Sequence, residues 1–247
     1  MRRLFLTILL LFSTCVVAPA ADATLLEKEG AFGWVIVTEH NGLRTLQFER
    51  GGARQTVVKM GDPAHLELPY APVALTGLSV CEAPRRVLIV GLGGGTLPMF
   101  IRQYFPEAVI DGVDINPDVV DVARRFLGFR EDSRMRGIVA DGRKFIEETR
   151  EPYDVIFLDA FGADSVPPPL STVEFLRAVR KALKPNQRVF AETSDDFFNN
   201  HDVISELGGK RLELAFIDGM HQFEFALRDF INVEKCCSRD SVILIHD

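Results

Sequence analysis

The 247-residue chain has few cysteines, no cluster of basic residues beyond its first three positions, and no apolar run long enough to span a bilayer. Each shortage removes a class of protein. Of the four cysteines, Cys15 lies in the extreme N-terminal segment; Cys81, Cys236 and Cys237 remain, an odd set with two members adjacent, which is not a disulfide framework. CxxC pairs and Cys/His spacings suited to structural zinc do not occur. The basic residues are dispersed, so the electrostatic footprint of a nucleic-acid binder is missing and no nucleic-acid partner is expected. A formal net charge of −7 suits a cationic substrate, and equally a solvated acidic surface. What is present is ordinary for a globular protein: 47% hydrophobic and 26% charged residues, in a length that suits one large α/β domain or a domain with a small appendage.

Residues 1–23 have the form of a secretory signal. Arg2 and Arg3 start it, Leu4 to Val17 form its apolar core, and Ala18-Pro19-Ala20 offers a small-residue cleavage site. Such a core falls short of the roughly 20 residues a helical span needs, so no stable membrane span is expected after processing. Export to the periplasm or beyond is the expectation, with a cytosolic domain tethered by an uncleaved segment as the alternative.

The chain is organised around Arg86-Val87-Leu88-Ile89-Val90-Gly91-Leu92-Gly93-Gly94-Gly95-Thr96. A strand buried on both faces runs into a glycine cluster, and Leu97–Tyr104 reads as the helix that follows. Such a turn can approach a nucleotide closely, with the free N–H groups of the following helix aimed at its polar part. The next strand, Ala108 to Val113, ends in Asp114, an acid placed to take both hydroxyls of a ribose. Beyond it strands and helices alternate: strands at Val109–Val113, Gly137–Ala140, Val155–Leu158 and Arg188–Ala191, helices at Pro117–Phe126, Lys144–Thr149 and Thr172–Ala182. Alternation predicts a mostly parallel, doubly wound, Rossmann-like sheet, with Gly91, Asp114, Asp141 and Asp159 at four carboxyl strand ends, where ligands bind. Ahead of this domain, Trp34–Thr38, Leu43–Glu49 and Gln55–Lys59 are separated by Asn41-Gly42 and Gly51-Gly52, which predicts a small antiparallel β subdomain over residues 24–65. Leu66 to Val80, interrupted by Pro69 and Pro72, is read as a stretch that carries a helix into a nucleotide-binding domain over residues 66–195.

A dinucleotide dehydrogenase would have glycine at the sixth position of G-x-G-x-x-G, and here that position is Thr96. Val90 to Gly95 instead resembles the first motif of the class I S-adenosylmethionine-dependent transferases. With Val113-Asp114-Ile115-Asn116, Ala140-Asp141-Gly142-Arg143 and Tyr153 to Phe161, the run from Arg86 to about Ala191 resembles the spermidine synthase (polyamine aminopropyltransferase) family, as does the β-hairpin subdomain before it. The resemblance implies a class I methyltransferase fold and a cosubstrate, S-adenosylmethionine or its decarboxylated form, held by Gly91, Gly93, Gly94, Gly95, Asp114, Ile115, Asp141, Gly142 and, through a Gly-x-x-Gln likeness, Gln55. It implies aminopropyl transfer to a diamine such as putrescine. Asp159, matching the first acid of the family's Asp-Ser-Ser-Asp-Pro loop, would be base and amine anchor, and Tyr70 would line the amine pocket. The chain departs from the pattern where the second acid becomes Gly162, with Asp164 two places later as a substitute. Alanine and proline follow Tyr70 where polar residues are usual, and Asn116 replaces an acid. Methyl transfer to another acceptor and a non-catalytic binding module of the same fold are the alternatives. The partner implied is a small-molecule amine, and a homodimer is compatible with this reading.

Asp154, at the start of a strand, reads as exposed or capping rather than catalytic, and Phe161, Phe197 and Phe198 as packing residues. After residue 195 the sequence resembles the late strands of another class I methyltransferase group: Leu212 to His221, a helix over Gln222–Val233, and Ser241 to Asp247. Asp218, His221, His246 and Asp247 form a conceivable metal cluster there, but a strand–helix–strand unit completing the sheet is preferred and no metal is assigned. The chain stopping at Asp247 suggests truncation or a fused fragment.

Overall fold

The computed structural model describes residues 23–75, 77–78, 81, 83–161, 166–184, 194–218 and 223–246. The expected signal segment up to residue 22, the strand expected at Arg188–Ala191, and Gly162, Asp164, His221 and Asp247 lie outside these residues. No helix among the described residues is long and apolar enough to cross a membrane.

The N-terminal sheet is an antiparallel meander of four strands, β1 (Ala23–Gly30), β2 (Gly33–His40), β3 (Leu43–Gln47) and β4 (Arg54–Lys59). Positive φ at Asn41 (50°) and Gly42 (78°) makes the tight β2–β3 turn, as Asn-Gly predicts. Strand β1 was not expected. Most of its residues are exposed and several are charged, so no apolar alternation marks it; pairing with β2 and the Lys28–Asp118 ion pair hold it.

Helix α1 (Tyr70–Leu75) lies within the stretch Leu66–Val80 that was expected to carry a helix. Pro69 pushes Leu68 out of the helical region and so sets the start, while Pro72 is tolerated in the first turn, where its missing N–H costs nothing. Then come β5 (Arg86–Val90), α2 (Thr96–Tyr104), β6 (Val109–Asp114), α3 (Pro117–Phe126), β7 (Met135–Val139), α4 (Gly142–Glu148), β8 (Val155–Leu158) and α5 (Val173–Ala182). The four strands are parallel in the order β7-β6-β5-β8. Order reverses between β5 and β8, the switch point at which such sheets open a ligand crevice.

Alternation along β5 explains the double winding. Val87 and Ile89 face a core shared with Leu75 of α1, Leu97 and Ile101 of α2, and Val120 and Ala123 of α3. Leu88 and Val90 face the other, with Ile146 of α4 and Phe175 and Val179 of α5. Helix α3 is apolar on a second side: Val119 and Val122 pack against Val35, Val37, Leu46 and Val58 of the N-terminal sheet. It is therefore wedged between the two sheets. Asn116, which stands where an acid was expected from the family pattern, is its N-cap, accepting from the Asp118 N–H at 2.9 Å.

The chain ends in α6 (Ser194–Asn200), α7 (Val203–Glu206), β9 (Leu212–Asp218), α8 (Phe223–Glu234) and β10 (Cys237–His246). Strands β9 and β10 are parallel and flank α8, as the strand–helix–strand reading requires. Among the described residues, however, they form their own two-stranded sheet and do not complete the four-stranded one. Asp218 and His246 are register partners, and no group of three metal-ligating side chains exists among the described residues.

At the amino ends of the main sheet a polar clasp replaces apolar packing. Asp111, fully buried in β6, accepts from the Tyr153 hydroxyl at 2.7 Å and from Arg136 Nε of β7 at 2.6 Å. Arg86 of β5 lies over the Tyr153 ring, 4.9 Å from its centroid. Burial, with the bond to Asp111, pushes the Tyr153 phenol up to about 12. Asp154 next to it accepts from the Arg85 and Arg86 N–H groups, both at 2.9 Å, and pairs with Lys184, which is the capping role expected of it. Replacing Tyr153 by Phe removes one hydrogen bond to a buried carboxylate, so urea denaturation is expected to give an unfolding free energy lower by about 2 kcal/mol with an unchanged slope.

Candidate active site

Every backbone N–H from Gly91 to Gly95 is engaged within the protein. Gly91 donates to the Val113 carbonyl (2.8 Å), Leu92 and Gly93 to Asp114 Oδ2 (3.2 and 3.3 Å), Gly94 to the Thr56 hydroxyl (2.9 Å) and Gly95 to the Leu92 carbonyl (2.9 Å). These amides therefore shape the turn, and the N–H groups expected to face a ligand are those of the helix that follows, α2. Gly91, at φ 102°, has the positive φ expected of it, and its close approach is to the protein itself, since a side chain there would collide with the backbone of Asp159 and Ala160.

Asp114 ends β6 beside this turn. Besides the two turn amides, its Oδ1 accepts from the Asn116 N–H at 2.9 Å. Burial raises its pKa against those three bonds. Each carboxylate oxygen has two lone pairs, so the turn's demands leave capacity for a hydroxyl ligand. Ile115, next in sequence, is 51% exposed, an apolar side chain left open at the strand ends. Asp141 follows β7 and caps α4, its Oδ1 accepting from Arg143 N (2.9 Å) and Lys144 N (3.1 Å). Gly142 opens that helix where a side chain would strike Val90, so packing of α4 on β5 accounts for the glycine.

Asp159 follows β8 directly, and its N–H donates to the Val90 carbonyl at 2.7 Å, prolonging the β5–β8 pairing past the last strand residue. Tyr70, the first residue of α1, donates its hydroxyl to Asp159 Oδ2 at 3.1 Å. Two residues 89 positions apart, singled out separately in the sequence, are thus in contact. Burial pushes the Asp159 carboxyl up to about 7, with the Tyr70 hydroxyl opposing. Burial, reinforced by the Asp159 charge, raises the Tyr70 phenol. An acid near half-ionised at neutral pH, at the switch point of a parallel sheet, can accept a proton from a bound group. Phe161, expected to be a packing residue, is instead 55% exposed close to this acid in sequence.

Gln55 is half-buried in β4. It lies where the β3–β4 register shifts, next to Thr56, through which β4 meets the turn. Thr56 is the site residue missed in the sequence, where nothing separates it from any other strand threonine. It is 4% exposed.

Comparison with known proteins agrees with this geometry. A family model described as the spermine/spermidine synthase domain matches residues 72–242. The polyamine aminopropyltransferase of Vibrio vulnificus is 32% identical over 173 residues, covering 68% of this chain and 58% of its own. The eEF1A lysine and N-terminal methyltransferase of Bos taurus is 42% identical over 115 residues, 42% of this chain and 16% of its own. This chain therefore spans little more than half of the first relative and a small part of the second. A crystal structure of a spermidine synthase in complex with the transition-state analogue AdoDATO matches with a TM-score of 0.52 at 21% identity, covering 65% of this chain and 55% of that one, a likeness of fold. The expected class I methyltransferase-type α/β fold with an antiparallel N-terminal sheet is thereby confirmed.

The Asp159 carboxyl titrates higher in the fold than the roughly 3.9 of a free aspartate. The unfolded chain therefore gives up its proton first, and stability falls as pH rises from about 4 to about 7, staying low above that. Asp159→Asn keeps an acceptor for Tyr70 without the charge. Urea unfolding is expected to find the variant more stable than the parent by about 2–4 kcal/mol at pH 8, with the gap closing towards pH 4.

Proposed function

Since this chain belongs to the spermine/spermidine synthase domain family, matched over residues 72–242, we propose that it is a transferase that moves a group from an S-adenosyl sulfonium to an amine. The observation that carries the reading is the contact of Tyr70 with a carboxylate tuned to about 7 beside the glycine turn. A nucleoside cosubstrate fits the residues present better than a dinucleotide does. The turn has no amide left for a pyrophosphate, while Asp114 offers a hydroxyl acceptor and Ile115 an open apolar surface for a base. S-adenosylmethionine or its decarboxylated form would supply a carbon bonded to positive sulfur, which a neutral amine can displace.

Asp159 anchors the ammonium form of the acceptor and takes its proton, leaving the nitrogen lone pair free to form the new N–C bond as the C–S bond breaks. The Tyr70 hydroxyl, donating to Oδ2, orients the carboxylate and holds its affinity for the proton down. Aminopropyl transfer to a diamine such as putrescine is the first reading, in line with the family and with the Vibrio vulnificus relative. Methyl transfer to an amine is the second, favoured by the 42% identity to the methyltransferase relative over 115 residues. Export directed by residues 1–23 is part of the proposal, and N-terminal sequencing of the protein recovered from each cell fraction tests it.

Incubation with putrescine and each cosubstrate distinguishes the two reactions by product mass. Aminopropyl transfer releases methylthioadenosine, and methyl transfer releases S-adenosylhomocysteine. The rate is expected to rise with pH through about 7 as Asp159 ionises. Asp159→Asn should lower kcat/KM by roughly 10²–10⁴. Tyr70→Phe removes the bond that opposes the raised pKa, so the rising limb should move to higher pH. Full turnover in Asp159→Asn, or binding with no product from any amine, would count against the reading.

A further inference from the structure

Of the five hydrogen bonds that hold the turn, four are accepted by β6 and by the turn itself, and the fifth is accepted by another sheet. Thr56 of β4 is buried, and its two branches meet the turn at two consecutive residues. Its hydroxyl accepts the Gly94 N–H at 2.9 Å. The same oxygen would lie 2.7 Å from a Cβ placed on Gly93, and its methyl carbon 2.5 Å from a Cβ placed on Gly94. Threonine and the two glycines are therefore complementary: the space the glycines leave is the space Thr56 fills. Strand β4 also places Val58 in the apolar cluster that includes Val119, Val122 and Leu127 of the α3 region.

We propose that Thr56 is a positioning residue through which the N-terminal sheet fixes the glycine turn in its ligand-ready shape. The proposal rests on the S-adenosyl reading for what the turn binds, though not for what holds it. With the hydroxyl gone, Gly94 has a buried N–H without an acceptor, and the turn relaxes to find one. The cosubstrate must then reorder the turn on binding, so its affinity falls.

The test compares Thr56→Val, which keeps the shape and loses the acceptor, with Thr56→Ser, which keeps the acceptor. Amide exchange at Gly94 is followed by NMR, and affinity for S-adenosylmethionine, its decarboxylated form and methylthioadenosine by calorimetry. In Thr56→Val, Gly94 exchange should accelerate and affinity for the probes that bind the parent should fall about tenfold, with Thr56→Ser restoring both. If Thr56→Val does not fold, Thr56→Ala carries the same comparison. Unchanged Gly94 exchange, unchanged affinity, or equal losses in the valine and serine variants would each overturn the proposal. A parent protein that binds none of the three probes would instead overturn the cosubstrate reading, and exchange alone would then decide whether Thr56 fixes the turn.

Discussion

The site depends on how closely two backbones pass. Gly91, leaving β5, lies against the backbone of Asp159, leaving β8, with no room for even a methyl group between them. On its other side the Gly91 N–H is bonded to Val113 of β6, and the Asp159 N–H is bonded to Val90. Three strand ends are thereby tied at one point, which lies where the order of the sheet reverses. The turn and the acid consequently behave as one rigid unit, and Asp159 keeps its place although it follows the last residue of its strand.

The same crowding decides the chemistry of that acid. Two other carboxylates withdrawn from water have cations or several N–H donors: Asp111 has Arg136 and a phenol, and Asp154 has Lys184 and two amides. Asp159 has the hydroxyl of Tyr70. A neutral donor compensates a desolvated charge only in part, so the proton is held up to about 7. A stronger partner would give a better-satisfied carboxylate and a poorer base.

Much of this was legible in the sequence, and the limits have physical causes. Strands β5 to β8 and their helices announce themselves because burial on both faces demands continuous apolar runs and helices demand caps; α3 was placed to the residue. Strand β1 was invisible because an edge strand held by pairing and by the ion pairs Lys28–Asp118 and Arg50–Glu27 needs no apolar pattern. The bounds of α1 were left open because Pro69 and Pro72 both read as interruptions, whereas Pro69 is a boundary and Pro72 sits in the first turn. The strand-end residues were found by position, but the occupation of the turn's amides depends on Asp114 and Thr56, and the meeting of Tyr70 with Asp159 on two distant elements. Residue identities announce a site, whereas hydrogen-bond partners across 89 positions and the desolvation of one carboxylate arise only from folding.

The clasp around Asp111 lies at the opposite edge of the sheet from the glycine turn. Arg86, Arg136 and Tyr153 join β5, β7 and the approach to β8 to one acid on β6, and this fixes the strands relative to one another before any of them reaches the crevice. Strand register is thus secured independently of the loops that meet a substrate. In a lineage of such proteins, mutation can rewrite the acceptor side of the crevice, exchanging acids for glycine or polar residues for Ala71 and Pro72, without loosening the frame on which both the turn and Asp159 are mounted.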